Sequence, residues 1–422
     1  MKRSSPKIHP GWIAVAVTFV TLMATAGFRS APTVLVVPLE DAFGWSRSDI
    51  SLAIAINLIL FGLVSPFAAA LMEKFGIRRV VMTALTTISI GAFLTIFISA
   101  PWQLIATWGV IVGIGTGSMA LVFAATIANR WFVAKRGLVT GLLTAATATG
   151  QLIFLPGLSY IATTYSWKSV SITVSSFAIL VVPFIFFLLR EEPAEVGLLP
   201  YGAPVGWQPP VKSELSAGAL AIDTLKQSSK KKDFWYLYGS FFVCGLSTSG
   251  LMGTHLIPAA HDHGMPTTVA ASMLALIGIF DVIGTLFSGW LTDRYDPRKL
   301  LFFYFGTRGL SLFLLPSILF SSIHPTTLIF VIFYGLDWVA TVPPTIMLCR
   351  SILGPQRASI VYGWVFTGHQ IGGAIAAFGA AVLRVRLGDY AVAFYISGAM
   401  CIVTSYFVLR IAKNVSDSQM RT

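Results

Sequence analysis

Twelve stretches of this chain are apolar enough and long enough for a helix to cross the hydrocarbon core of a bilayer, which takes about 20 residues. They lie near 11–37, 50–72, 79–99, 102–127, 138–161, 168–189, 234–259, 268–291, 299–320, 325–348, 359–383 and 390–411, and are called spans 1 to 12 below. Backbone amides and carbonyls cannot go unbonded in lipid, so each span is predicted to be a helix and the fold class to be all-α. Only 11% of the 422 residues are charged, far below the quarter usual in soluble proteins. The start "MKRSSPKIHP" resembles a secretory signal only in its charge. Its apolar run is too long and no small-residue cleavage site follows, so it reads as the first span.

The connections are short except for 191–232, which is rich in Pro, Gly, Ser and Lys and divides the spans six and six. The expected domains are therefore a bundle over 1–190, a linker over 191–232 and a second bundle over 233–422. The net charge of +12 does not indicate a nucleic-acid partner. With the N-terminus placed inside, 23 of the 29 Lys and Arg fall in cytoplasmic segments, and four, Arg47, Lys168, Arg384 and Arg386, fall outside. That bias predicts cytoplasmic termini. Cys244, Cys349 and Cys401 lie in or beside apolar runs and do not make a disulfide framework.

An internal repeat runs through the chain. Shifted by 220 residues, Pro38 falls on Pro258, Gly44 on Gly264, Leu71 on Leu291, Glu73 on Asp293, Lys74 on Arg294, Arg78 on Arg298 and Arg130 on Arg350. Two six-helix halves in parallel orientation follow, a plan in which substrate binds near the membrane midplane. The segments "AALMEKFGIRRV" and "GWLTDRYDPRKL" resemble the signature G-x-L-A-D-R-x-G-x-R-R of the major facilitator superfamily. Ala69 and Glu73 depart from it in the first copy, and Asp296 in the second. The resemblance implies a gating role for Glu73, Lys74, Gly76, Arg78 and Arg79, and for Asp293, Arg294 and Arg298. On the residues alone, the alternative is that these charges simply mark helix ends at the cytoplasmic surface.

Four ionisable side chains lie inside spans: Arg29, Asp281, Arg308 and Asp337. Charges at that depth are costly and normally face the protein interior in pairs. The superfamily resemblance implies that spans 1, 4, 7 and 10 border the central cavity, which makes Arg29 and Asp337 candidates for substrate contact. Arg308, in an outer span, is expected to be the structural partner of Asp281 or Asp337. Pro32 predicts a loosened helix near Phe28 and Arg29, and Pro343 and Pro344 follow Asp337. A guanidinium fits a carboxylate, so a small organic anion is the expected ligand. Asp281 and Asp337 are the candidate proton carriers. Asn57, His369 and Gln370 are further candidate ligand contacts, with bonding between helices as the alternative.

"GWIAVAVTFVTLMATAGFRSAPTVLVVPLEDAFGWSRSDIS" and "NRWFVAKRGLVTG" are similar to the monocarboxylate transporter and oxalate–formate antiporter branch of the superfamily. That resemblance places Arg29 on a basic position of span 1 and Asp281 on the aspartate of span 8. The branch has an arginine one turn later, where this chain has Thr285. Gly113, Gly115 and Gly117 follow no strand and precede no Lys, so they do not form a nucleotide loop. Gly109, Gly113 and Gly117 form a ridge for close helix packing. His261 and His263 do not make a metal site, and no hydrolase or ATPase motif occurs, so neither enzymatic activity nor a cofactor is expected. The expected protein is a monomeric secondary transporter in a plasma membrane, a bacterial inner membrane in particular. Its partners are a small organic anion, protons and the lipid bilayer. An exporter of amphipathic drugs or peptides is the alternative, and a membrane-embedded sensor or enzyme a more remote one.

Overall fold

The computed structural model describes residues 9–45, 47–119, 121–204, 207–208, 213–320 and 322–412, without the side chains at 29, 30, 32, 33, 37, 47, 48, 51, 267 and 268. Among these residues, 12 helices are long and apolar enough to cross a membrane. The chain divides into two compact units, Met1–Leu220 and Ala221–Thr422. Each contains six spans.

In the first unit, span 1 (Pro10–Phe43) begins with the His9 ring accepting from the Gly11 amide and ends on Gly44 at φ 67°. It packs along span 5 (Arg136–Thr164), where the helices come so close that a Cβ on Gly150 would lie 2.3 Å from the Met23 carbonyl oxygen. Span 2 (Arg47–Phe75) packs on span 4 (Pro101–Trp131). The Gly109, Gly113 and Gly117 ridge permits this approach. A Cβ on any of the three would come within 2.9–3.2 Å of span-2 backbone atoms. Span 3 (Ile77–Phe97) and span 6 (Trp167–Leu188) complete the unit.

Span 4 is not a regular helix. Ile105–Val112 winds as π-helix, Gly113–Ser118 returns to α, a turn follows at Met119, and Leu121–Trp131 resumes. Span 1, in contrast, runs on as α-helix through Arg29 and Pro32. The loosening expected there from Pro32 is not an interruption of the helix. A proline removes one donor, and the turns on either side still bond.

The second unit repeats the plan with its irregularities moved. Span 7 (Lys232–Asp262) carries a π-helical stretch at Leu246–Met252, which matches 26–32 of span 1 at the 220-residue offset. Span 10 (Pro325–Leu353) is broken outright, with Trp338–Thr341 forming a turn between two helices. Span 8 (Thr267–Thr292), span 9 (Pro297–Ile318), span 11 (Ala358–Leu387) and span 12 (Ala391–Val408) are continuous. Span 8 lies against the break in span 10 so closely that a Cβ on Gly284 would sit 1.9 Å from the Leu336 carbonyl oxygen.

The segment between spans 6 and 7 is structured where it is described. Tyr201 bridges to Phe132, its amide donating to the Trp131 carbonyl and its own carbonyl accepting from Val133 and Ala134. A helix, Ala217–Ser228, then places Asp223 2.6 Å from Arg357 and the Ala221 carbonyl 3.0 Å from the Trp364 indole nitrogen. The Arg357 guanidinium holds the Asp223 carboxyl below the usual carboxylate range.

Gly284→Ala should lower the unfolding free energy by about 1–3 kcal/mol, because span 8 must shift away from span 10. Gly379→Ala, where a Cβ would meet nothing within 4 Å, should leave thermal unfolding in detergent unchanged.

Candidate functional site

The broken span 10 draws three buried charged side chains together. A helix interruption within a membrane frees carbonyls and amides that must find other partners. Arg308, 1% exposed, donates from Nε to Asp337 Oδ2 at 2.7 Å. Its Nη2 donates to the Asp337 carbonyl at 2.5 Å and to the Trp338 carbonyl at 3.1 Å. Its Nη1 reaches Cys244 Sγ at 3.2 Å and Ser247 Oγ at 3.5 Å. One guanidinium thus pairs a carboxylate and serves two carbonyls at the break.

Asp281 serves the opposite polarity. Its Oδ1 accepts from the Val339 amide at 3.0 Å, inside the turn, and from the Thr285 hydroxyl at 2.9 Å. Ser288 donates to the Ala340 carbonyl at 2.5 Å, and Thr341 Oγ1 lies 3.2 Å from Cys244 Sγ. Thr285, read from sequence as a missing cation, is therefore a donor to Asp281. The charges do not balance. Asp281 and Asp337 are 4% and 6% exposed, and among the described residues Arg308 is the one cation bonded within this cluster. Asp337 Oδ1 is buried, and among the described residues no donor reaches it.

The other candidates lie elsewhere. Arg29 is in span 1, and its side chain lies outside the described residues. Asn57 donates to the Trp108 carbonyl of the π-helical stretch at 2.8 Å, where the wider winding displaces that carbonyl from the α-helical ladder. His369 packs its ring on Phe241 and stacks on Phe366, with centroids 5.1 and 5.7 Å away. Gln370, beside it in span 11, is half-buried. A cavity in the first unit is lined by Thr25, Phe61, Thr116, Met119, Leu121 and Thr147.

The two signature loops are built differently. In the first, Arg130 donates to Glu73 Oε2 at 3.0 Å and to the Met72 carbonyl at 2.8 Å. Glu191, just past span 6, accepts from the Ile77 and Arg78 amides at 2.5 and 3.0 Å and lies 3.8 Å from Arg130. It caps span 3 where the helix dipole favours an anion. Gly76, at φ 92°, leaves room for that carboxylate; a Cβ there would sit 2.7 Å from Glu191 Oε1. Lys74 donates to the Ser213 and Glu214 carbonyls, Arg78 lies over the Phe186 ring, and Arg79 is exposed.

In the second loop Asp296 occupies the place of Gly76 and supplies the cap itself, accepting from the Arg298 amide at 3.0 Å and pairing with its guanidinium at 2.7 Å. Arg298 also donates to the Ile411 carbonyl, Arg294 stacks on Trp290, and Asp293 closes the end of span 8. Glu191 and the backbone partners at the span-10 break are absent from the sequence expectations. The pair Glu191–Glu192 immediately after a span was the available signal for the first; the break has none beyond Pro343 and Pro344.

Residues 17–377 match the model of the Major Facilitator Superfamily. The chain belongs to that superfamily. It is a multi-pass membrane transporter, not an enzyme. It is similar to an uncharacterised MFS-type transporter, YcxA, of Bacillus subtilis, 25% identical over 394 residues that cover 89% of this chain and 88% of that one. Monocarboxylate transporter 12-B of Danio rerio is 24% identical over 427 residues, covering 95% and 87%. The solved structure of the human organic anion transporter MFSD10 superposes with a TM-score of 0.73 at 15% identity, covering 96% and 100%, and shares the fold.

Removing Arg308 leaves a buried carboxylate and two carbonyls without partners. Arg308→Met should therefore cost about 3–5 kcal/mol of stability. The double variant Arg308→Met/Asp337→Leu should recover part of that loss when both are compared by thermal unfolding in detergent. Equal melting of the single and double variants would show that the pair is not coupled.

Proposed function

We propose that this transporter carries a small monocarboxylate by alternating access, together with a proton. The observation that carries the reading is the surplus carboxylate at the span-10 break. Asp281, Asp337 and Arg308 together hold one negative charge too many for a buried site, and taking up a proton neutralises it. Asp281 Oδ1 is engaged by two donors, whereas Asp337 Oδ1 is open. The exchangeable proton is therefore assigned to Asp337, with Asp281 tying span 8 to the same break.

The anion is assigned to Arg29 of span 1, with Asn57 as a further polar contact in the same unit. Relatives named as monocarboxylate transporters support the substrate class. An anion moved with one proton crosses without net charge, which suits a site whose own charge changes by one in each cycle. The excess of Lys and Arg in alternate loops supports cytoplasmic termini. The short connections accord with a bacterial inner membrane. The two signature clusters, around Glu73, Arg130 and Glu191 and around Asp296 and Arg298, are assigned to gating, since element-terminal contacts commonly govern such steps.

Proteoliposomes with an alkaline interior should accumulate labelled acetate or lactate above equilibrium. Arg29→Ala should reduce uptake by at least about tenfold, the value of one charge-assisted contact. Asp337→Asn should abolish gradient-driven accumulation while retaining exchange of labelled for unlabelled anion. Undiminished uptake by Arg29→Ala overturns the anion site, and gradient-driven accumulation by Asp337→Asn overturns the proton site.

A further inference from the structure

The start of span 7 carries a run of charge that the fold uses only in part. Lys226, Lys230, Lys231 and Lys232 stand together, and Asp223 and Asp233 are the carboxylates within residues 221–240. Both carboxylates are committed elsewhere, Asp223 to Arg357 and Asp233 to the Ala412 amide at 3.1 Å. Lys231 donates to the Ile352 carbonyl at the end of span 10. Lys230 and Lys232 are exposed, and among the described residues no carboxylate pairs with either.

The helix that follows keeps one face uncovered. Asp233 and Tyr236 turn to span 12, where the Tyr236 ring stacks on Phe407 with centroids 6.2 Å apart. Tyr238 and Phe241 turn to span 11. A Cβ on Gly368 would sit 3.0 Å from the Tyr238 ring, and Phe241 lies 5.8 Å from Tyr362. Lys232, Trp235 and Gly239, at i, i+3 and i+7, form the stripe left between these contacts. Trp235 is 54% exposed, and a Cβ on Gly239 would meet nothing within 4 Å. The Trp235 indole donates from Nε1 to the Ser229 carbonyl at 2.8 Å, which holds its ring against the turn that bears Lys230.

The stripe has the layout of a phospholipid. From Lys232 to Gly239 the helix rises about 10 Å. Ammonium groups lie at one end, and a tryptophan, the residue that favours headgroup level, lies in the middle. At the other end an open glycine leaves a notch in an apolar helix. A negative headgroup meets two lysines there with no carboxylate competing for them, and a zwitterionic one gains less. We infer that this face binds an anionic phospholipid, with its phosphate on Lys230 and Lys232 and its acyl chain over Trp235 into the notch at Gly239. Lys231, between the two lysines, ties the same turn to span 10, so the bound lipid braces the junction of the linker helix with span 7. The lipid is a resident ligand and not a substrate, so this site is independent of what the protein carries.

Fluorescence quenching in vesicles tests this with the full chain. Phosphatidylcholine vesicles receive a small share of either phosphatidylglycerol or phosphatidylcholine with brominated acyl chains. Contact with Trp235 is the quenching that the Trp235→Phe variant lacks. Brominated phosphatidylglycerol should be preferred at this position by about fivefold for each of the two lysines. Lys230→Gln/Lys232→Gln should bring the preference to near one while quenching by brominated phosphatidylcholine stays the same. Gly239→Leu fills the notch without meeting a neighbour and should weaken quenching by both lipids, a second readout should the lysine variant not assemble. Equal quenching by the two lipids in the wild type, a preference that survives in Lys230→Gln/Lys232→Gln, or no quenching attributable to Trp235 overturns the inference. Unchanged quenching in Gly239→Leu overturns the acyl seat.

Discussion

A helix broken inside a membrane requires partners for the backbone groups it releases, and in this protein the requirement is met by charge. The turn at Trp338–Thr341 exposes carbonyls that Arg308 serves and an amide that Asp281 serves. Polarity is matched group by group: the cation goes to carbonyls and the anion to an N–H. The three charged residues come from spans 8, 9 and 10, so holding the break also fixes the mutual positions of those spans. The close contact of Gly284 with the Leu336 carbonyl completes the arrangement, since any larger residue would push span 8 away from the turn it supports. Buried charge at this place is thus first a structural necessity. The surplus of one carboxylate is what the proposed proton coupling uses.

Among the described residues, the first unit meets the same topological problem with neutral groups. Its span 4 combines a π-helical stretch with a turn at Met119, and neutral groups serve the freed backbone, Asn57 at Trp108 and Ser65 at Gly117. Duplicated halves have therefore diverged at matching positions while keeping the geometry of the fold. The signature loops show the same divergence. Glu191 caps span 3 from 114 residues away, and Asp296 provides the equivalent cap from within its own loop. Gly76 is required in the first loop because the carboxylate arrives from outside, and a side chain at that position would occupy its place.

Much of this architecture was legible in the sequence. The spans follow from the length of apolar runs, and the two halves from an ungapped offset that aligns charged loops. The glycine ridge of span 4 follows from its spacing and meets span 2 as such spacing requires. The reading of Pro32 as a break point was not matched by an interruption, because one missing donor does not end a helix supported on both sides. Its counterpart in span 7 is irregular with no proline there at all, at Leu246–Met252. π-Helical winding depends on packing against neighbouring spans, which local periodicity does not record. The pairing of Arg308 was open between two aspartates separated from it by 27 and 29 residues in opposite directions. Only the three-dimensional path of span 10 brings Asp337 to its Nε and Asp281 to the Val339 amide.

The proposed transport cycle centres on a buried site that changes its charge by one as an anion passes. The most direct measurement compares carboxylate accumulation in proteoliposomes under an imposed pH gradient with accumulation under an imposed membrane potential at equal pH. Proton-coupled carriage predicts that uptake follows the pH gradient and is indifferent to the potential, because anion and proton would cross together without net charge. Accumulation driven by potential alone, or uptake unaffected by the pH gradient, would contradict it.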